Sequence, residues 1–276
     1  MPAKVRTLSP ALEKSRKILI LVGLLFVLIA INYSYIDNFL EDAFSEDGNF
    51  LVVERVIDGD TVKINGTSVR LLGINCPEKG EEFSSEATEF LEGWVLGKGV
   101  QLKYGKDKID RYGRTLAYIF YGDTNVNLEI VRNGFANYYF PSGKDAYLDN
   151  FVGAWEKCVG EGRNICEKSS DVCADCVGVK SFDMKKEDIE FFNSCGFDCS
   201  LAGWSVKDEG RKVFDFSSAR ILAGQSLHLI VTKGEEADTA DKIFWKRSDY
   251  VWTGTGDTLI LRDSDGNLVV WEKKGY

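Results

Sequence analysis

The hydrophobic pattern after residue 49 changes its period several times along the chain. Short segments rich in β-branched side chains are separated by turn dipeptides such as Asp58-Gly59 and Asn65-Gly66, which predicts consecutive strands joined by tight turns. Between residues 83 and 96, apolar side chains recur every three or four positions, which predicts an amphipathic helix. The predicted strands of this half are residues 50–57, 61–64, 68–74, 100–104 and 115–121. The other predicted helices are residues 127–133 and 146–159.

From residue 177 onwards the pattern has no long helix-period segment, and short β-rich segments alternate with turn residues. The predicted strands here are residues 191–195, 203–207, 212–216, 226–232, 258–262 and 268–272. The sequence therefore predicts an α+β protein in which a small five-stranded β-barrel with helices is followed by an all-β, antiparallel sandwich.

A different pattern precedes residue 50. Residues 18–36 are apolar apart from two polar positions and span about 28 Å as a helix, close to the thickness of a bilayer core. Most of the charged residues among residues 1–17 are Lys or Arg, whereas residues 37–49 contain Asp and Glu but no Lys or Arg. This predicts a cytoplasmic tail, a single transmembrane signal-anchor and an acidic extracellular linker. A cleaved signal peptide is the alternative, because the strictly apolar part, residues 18–31, is short.

The charge balance limits the function classes. The chain has 34 Lys and Arg, 43 Asp and Glu and a formal net charge of −9, which excludes a generally basic surface for nucleic acids. Any such contact must be local. With one histidine, His228, the chain cannot form a multi-histidine metal site. We expect His228, inside an apolar run, to be a strand residue.

Three polar motifs stand out in order along the barrel half: Asp58-Gly59-Asp60-Thr61, the segment from Arg70 to Glu78, and Asp110-Arg111-Tyr112-Gly113-Arg114. Phosphodiester hydrolysis needs this set of groups. A hard cation prefers oxygen ligands, an attacking water needs a carboxylate base, and guanidinium groups neutralise the negative charge of the transition state.

Together these motifs resemble the staphylococcal nuclease (thermonuclease) family over residues 50–169. The resemblance implies an OB-fold barrel and Ca²⁺-dependent hydrolysis of DNA and RNA. It assigns the metal ligands as Asp60, Asn75 and the backbone carbonyl of Cys76. It places Asp58 next to these ligands without direct contact with the metal. It assigns the catalytic groups as Arg70, Glu78 and Arg114, and places Tyr112 near the substrate. Asn75 stands where the staphylococcal enzyme has Asp, which removes one negative charge and should weaken Ca²⁺ binding.

Residues 201–208 and 256–267 resemble the lamin-tail domain family, which implies an immunoglobulin-like sandwich over residues 179–276, after a cysteine-bearing linker at 170–178. The partner of this domain is not implied. Six of the seven cysteines follow residue 157, which predicts three disulfides and one odd thiol. Plausible local pairs are Cys158 with Cys166 and Cys195 with Cys199. A zinc site formed by Cys173, Cys176, Cys195 and Cys199 is the alternative.

The leading functional hypothesis is a membrane-anchored, extracellular, Ca²⁺-dependent nuclease that acts on DNA or RNA, with its N-terminus in the cytoplasm and residues 18–36 in the membrane. The alternative is a catalytically inactive OB-fold module that binds nucleic acid at the cell surface. The acidic balance and Asn75 favour the alternative, whereas the intact set of Asp60, Arg70, Glu78 and Arg114 favours the enzyme.

Overall fold

The computed structural model describes residues 19–24, 27–28 and 50–276. The two short N-terminal stretches are helical, and their side chains are exposed. Among the described residues, no helix is both long and apolar enough to cross a membrane. Most of the segment predicted to span a membrane, and all of its flanking tail and linker, lie outside the described residues, so the anchor stays a prediction.

Residues 50–276 form one compact unit. We call residues 50–168 the barrel region and residues 169–276 the C-terminal region. The barrel region contains the strands β1 (Leu51–Asp58), β2 (Thr61–Ile64), β3 (Thr67–Leu71), β4 (Gly73–Asn75), β5 (Gly99–Ile109), β6 (Thr115–Tyr121), β7 (Thr124–Asn125) and β8 (Asn137–Tyr139). Its helices are α1 (Ser84–Val95), α2 (Val126–Arg132) and α3 (Leu148–Glu161), with a 3-10 turn at Asn164–Cys166.

Five of these strands close into a barrel. β1 pairs with β2 and β5, β2 with β3, and β5 with β6, and the parallel pairing of β3 with β6 completes the ring. The inward positions are filled by fully buried aliphatic side chains such as Val53 and Val62. α1 covers the barrel with Ala87 and Leu91, and α3 with Trp155, all of them buried. The predicted five-stranded barrel with helices is confirmed.

The predicted strand at residues 68–74 is in fact two strands. The first strand ends before Leu72, and Gly73 adopts a left-handed backbone conformation with a φ of 75°. A Cβ at Gly73 would lie 3.2 Å from ring atoms of Phe140, Phe151 and Tyr118, so no larger residue fits without displacing these rings. The second strand, β4, pairs with β8, which places Asn75 opposite Asn137.

The C-terminal region is rich in strands. They are β9 (Val177–Asp183), β10 (Asp188–Asn193), β11 (Cys199–Ser200), β12 (Ser205–Lys207), β13 (Val213–Asp215), β14 (Arg220–Ile221), β15 (Ser226–Thr232), β16 (Lys242–Lys246), β17 (Asp257–Arg262) and β18 (Leu268–Lys274). Two four-stranded sheets, β16-β15-β10-β9 and β13-β12-β17-β18, contribute side chains to one core. The predicted strand at 226–232 coincides with β15. The expectation of purely antiparallel pairing is wrong at β15 and β16, which run parallel.

Six cysteines form three disulfides, and Cys76 is a buried free thiol. The predicted number of disulfides is therefore confirmed, and so is the predicted local pair of Cys158 with Cys166. The pairing of Cys195 with Cys199 is wrong, because each bonds to a cysteine of the preceding linker. All four candidate zinc ligands are used in these bridges, which contradicts the zinc alternative. The bridges are Cys158–Cys166, Cys173–Cys199 and Cys176–Cys195.

The two regions share part of one core. Ile260 of β17 and Leu268 of β18 belong to the same buried cluster as the barrel side chains. Trp271 of β18 packs edge-on against Trp155 of α3, with 6.4 Å between the ring centroids. The contact brings the β12–β13 turn of the C-terminal region to β4 and β8, where the candidate site lies.

Candidate active site

The first motif forms the turn between β1 and β2. A Cβ on Gly59 would lie 2.8 Å from Cβ of Ala87 and 2.9 Å from Sγ of Cys76. Glycine is therefore required for the turn to pack against α1 and against the segment that follows β4. The backbone N–H of Asp60 donates to Oδ1 of Asp58 at 3.1 Å, so Asp58 stabilises the turn that carries Asp60.

Asp60 lies at the centre of the cluster and is only 4% exposed. Its Oδ2 is 2.9 Å from a guanidinium nitrogen of Arg70 and accepts the backbone N–H of Cys76 at 3.2 Å. Burial raises the pKa of this carboxyl above its ordinary value, and the charge of Arg70 opposes the rise. A nearby cation would therefore stabilise the ionised form of this buried carboxyl group.

Arg70 is held from several sides. It donates to the backbone carbonyls of Leu71 at 2.5 Å and Ile74 at 2.9 Å, and its guanidinium lies 3.5 Å from Oδ1 of Asn75. Asn75 is itself 4% exposed. The structure therefore brings the predicted residues Asp60, Arg70, Asn75 and Cys76 into one buried cluster.

The donor set of this cluster suits a hard cation. Asp60 offers a carboxylate, Asn75 an amide oxygen and Cys76 a backbone carbonyl, all of which are ligand types of Ca²⁺. Burial raises the pKa of the Cys76 thiol well above its ordinary value, so the sulfur stays protonated and is a poor ligand. Within the described residues, no group of three or more His, Cys, Asp or Glu side chains is placed to hold a metal. The predicted ligand set contains one carboxylate, that of Asp60, and the oxygen donors of this set fit Ca²⁺.

Arg114 and Tyr112 lie on the exposed loop between β5 and β6. Nε of Arg114 is 2.7 Å from Oδ2 of Asp110, whose Oδ1 also accepts the backbone N–H of Arg114. The ring of Tyr112 is 68% exposed and lies under two guanidinium groups, those of Arg111 at 4.8 Å and Arg114 at 5.5 Å. Over residues 50–276 Arg114 pairs with Asp110 and not with the buried cluster.

Glu78 follows the cluster on an exposed loop, and its side chain is 49% exposed. Its backbone N–H donates to Oε2 of Glu81 at 2.7 Å. Its carboxylate pairs with Arg211 of the C-terminal region at 2.5 Å. In the same turn, the carbonyl of Gly210 accepts a hydrogen bond from Nδ2 of Asn75 at 2.9 Å. Sequence reasoning missed both partners, because Gly210 lies 135 positions after Asn75 and no local pattern connects them.

Comparisons with known proteins cover the barrel region that carries this site. The model of staphylococcal nuclease homologues matches residues 68–166, which include Arg70, Asn75, Glu78 and Arg114. A thermonuclease of Staphylococcus intermedius is 32% identical over 165 residues, which cover 54% of this chain and 98% of that protein. The chain belongs to the staphylococcal nuclease family.

Other staphylococcal nuclease relatives match shorter parts. An uncharacterized endonuclease of Haemophilus influenzae is 36% identical over 125 residues, covering 43% of this chain and 68% of that protein. Endonuclease YhcR of Bacillus subtilis is 33% identical over 108 residues, covering 32% of this chain and 9% of that protein. The Lamin Tail Domain model matches residues 169–275. Both recognised resemblances are confirmed, and this family member joins the two regions in one chain.

Proposed function

We propose that this protein is a nuclease that hydrolyses phosphodiester bonds of DNA, RNA or both. The observation that carries the proposal is the buried cluster of Asp60, Arg70 and Asn75, with Glu78 following it in the chain, in a member of the staphylococcal nuclease family. A buried carboxylate beside an arginine and an amide oxygen has no evident structural advantage over apolar packing. It does suit the binding of a cation and a phosphate.

Each residue of the site has a proposed role in hydrolysis. Asp60, Asn75 and the carbonyl of Cys76 would hold Ca²⁺, which would supply positive charge to a phosphate oxygen when bound. Glu78 takes the proton of the attacking water, and its partly exposed position gives it access to solvent. Arg70 and Arg114 neutralise the phosphate, and a base could stack on Tyr112.

The location is part of the proposal. A basic segment before residues 18–36 and an acidic one after them support a single-pass anchor with the barrel outside the cell. Three disulfides support an oxidising compartment. The family resemblances support an OB-fold for the barrel and an immunoglobulin-like sandwich for the C-terminal region.

Digestion of plasmid DNA and of RNA by the full-length chain, purified in mild detergent, tests the proposal. We expect activity with Ca²⁺, no activity with a chelator, and a loss of at least about 100-fold in Glu78→Gln. Glu89→Gln, at an exposed position of α1, is the matched control and should keep full activity. Cleavage that survives both the chelator and Glu78→Gln would refute the assignment. Binding of nucleic acid without cleavage in any arm would support the non-catalytic alternative.

A further inference from the structure

The turn that joins β12 and β13 reaches from the C-terminal region to the candidate active site. The backbone N–H of Lys212 donates to Oδ1 of Asp208 at 2.9 Å, which closes the turn on itself. Two consecutive backbone carbonyls of the turn accept hydrogen bonds from asparagine side chains of neighbouring strands. Glu209 accepts from Asn137 of β8 at 2.7 Å, and Gly210 accepts from Asn75 of β4 at 2.9 Å. The turn is thus fixed directly against a proposed metal ligand.

The contact with Gly210 explains why residue 75 is an asparagine. Nδ2 of Asn75 donates to the carbonyl of Gly210, which turns Oδ1 towards Arg70 and the cluster. A carboxylate at this position has no hydrogen to donate and would place two acceptor oxygens against each other. An amide satisfies the carbonyl and still offers one oxygen to a cation. The turn therefore sets the orientation of Asn75.

Arg211, the next residue, reaches the carboxylate of Glu78. The guanidinium nitrogen is 2.5 Å from Oε1 of Glu78, and the two side chains are 59% and 49% exposed. Glu78 belongs to a solvent-facing loop, where a glutamate side chain has several accessible rotamers. A charge-assisted hydrogen bond from Arg211 restricts these rotamers through Oε1. In this geometry Oε2 can face a water molecule.

We propose that the β12–β13 turn is a working part of the nuclease centre, with Arg211 as a positioning residue that holds Glu78 in the orientation needed to activate water. The inference rests on the proposed function. It assigns the C-terminal region a direct contribution to catalysis, because the barrel region alone lacks this guanidinium group. Arg211 acts through Glu78, so its effect must depend on the presence of that carboxylate.

A double-mutant cycle on the full-length chain tests this dependence. Cleavage of a fluorescent DNA oligonucleotide with Ca²⁺ is measured for the wild type, Arg211→Ala, Glu78→Gln and the double variant. We expect Arg211→Ala to lower kcat about 10- to 100-fold, with KM changed less than about threefold, because a catalytic group loses its position. In the Glu78→Gln background the same substitution should have no further effect. Arg211→Lys should recover part of the activity.

Arg220→Ala is the matched control, since Arg220 is an exposed arginine of the same region that pairs with Asp198. It should leave kcat unchanged. Unchanged kcat in Arg211→Ala would overturn the inference, and so would increased kcat, which would identify the contact as inhibitory. An equal loss in both Glu78 backgrounds would overturn it as well, because it would indicate a general structural effect. An inactive wild type would overturn the proposed function together with the inference, whereas the other outcomes concern Arg211 alone.

Discussion

Replacing Glu209 by glutamine should remove a pH dependence from the stability of residues 50–276. Glu209 is 3% exposed and lies where the two regions meet. Its Oε2 accepts the backbone N–H of Phe140 at 3.1 Å and the hydroxyl of Tyr276 at 2.7 Å, and its Oε1 accepts the hydroxyl of Thr258 at 2.8 Å. Burial outweighs these three donors and raises the pKa of Glu209 to about 7.

The sign and the size of the effect follow from linkage. The folded protein holds the proton of Glu209 more tightly than the unfolded chain, where the ordinary pKa of 4.5 applies. The protonated group therefore favours folding below pH 4.5, and this contribution is lost as the pH rises through 7. A difference of about 2.5 between the two pKa values is equivalent to about 3 kcal/mol, of which about 2–3 kcal/mol falls between pH 5 and pH 8.

Denaturant unfolding of residues 50–276 at several pH values measures this contribution. The neighbouring acids Asp208 and Asp257, whose pKa values are also raised by burial, titrate in both proteins, so the wild type is compared with Glu209→Gln at each pH. We expect the stability of the wild type relative to the variant to fall by about 2–3 kcal/mol from pH 5 to pH 8. Glu235→Gln, at a side chain 94% exposed, is the control and should change stability by less than about 0.5 kcal/mol. A difference between wild type and Glu209→Gln that stays constant over this range would refute the reasoning.

Two further predictions follow from the site and from the disulfides. Asn75→Asp should lower the unfolding free energy by about 1–3 kcal/mol in a chelator, because a carboxylate cannot donate to the carbonyl of Gly210. Ca²⁺ should restore part of this loss through the added negative charge, and thermal unfolding with and without the ion measures both effects; equal stability of variant and wild type in the chelator would contradict the role of the turn. Alkylation in denaturant without reductant should modify one cysteine per chain, and peptide mapping should find it at Cys76. More than one modified thiol would contradict the three bridges.

Much of the barrel could be predicted from the sequence. Segments rich in β-branched residues between turn dipeptides identified β1, β2 and β6, and the helical period identified α1, since residue type and periodicity act locally. Through the family resemblance, the order of the polar motifs indicated that Asp60, Arg70 and Asn75 belong to one site. In the structure, the guanidinium of Arg70 lies against both Asp60 and Asn75.

Other features depend on contacts that no local pattern encodes. The predicted strand 68–74 is divided at Leu72, and its second part, β4, pairs with β8, which lies much later in the chain. The partners of Cys195 and Cys199 could not be chosen from spacing, because connectivity is set by which loops the fold brings together. The same holds for Arg211, an exposed arginine whose sequence neighbours give no reason to connect it with Glu78.

The sequence by itself determined the elements and the chemistry that each motif can perform, because periodicity and residue type act over a few positions. Only the tertiary structure decided that the β12–β13 turn closes against the proposed active site. That contact depends on the shared core of the two regions, in which Ile260 and Leu268 pack among the barrel side chains. The burial of apolar surface from segments far apart in the chain positions these short polar contacts, so they appear only once the whole unit has folded.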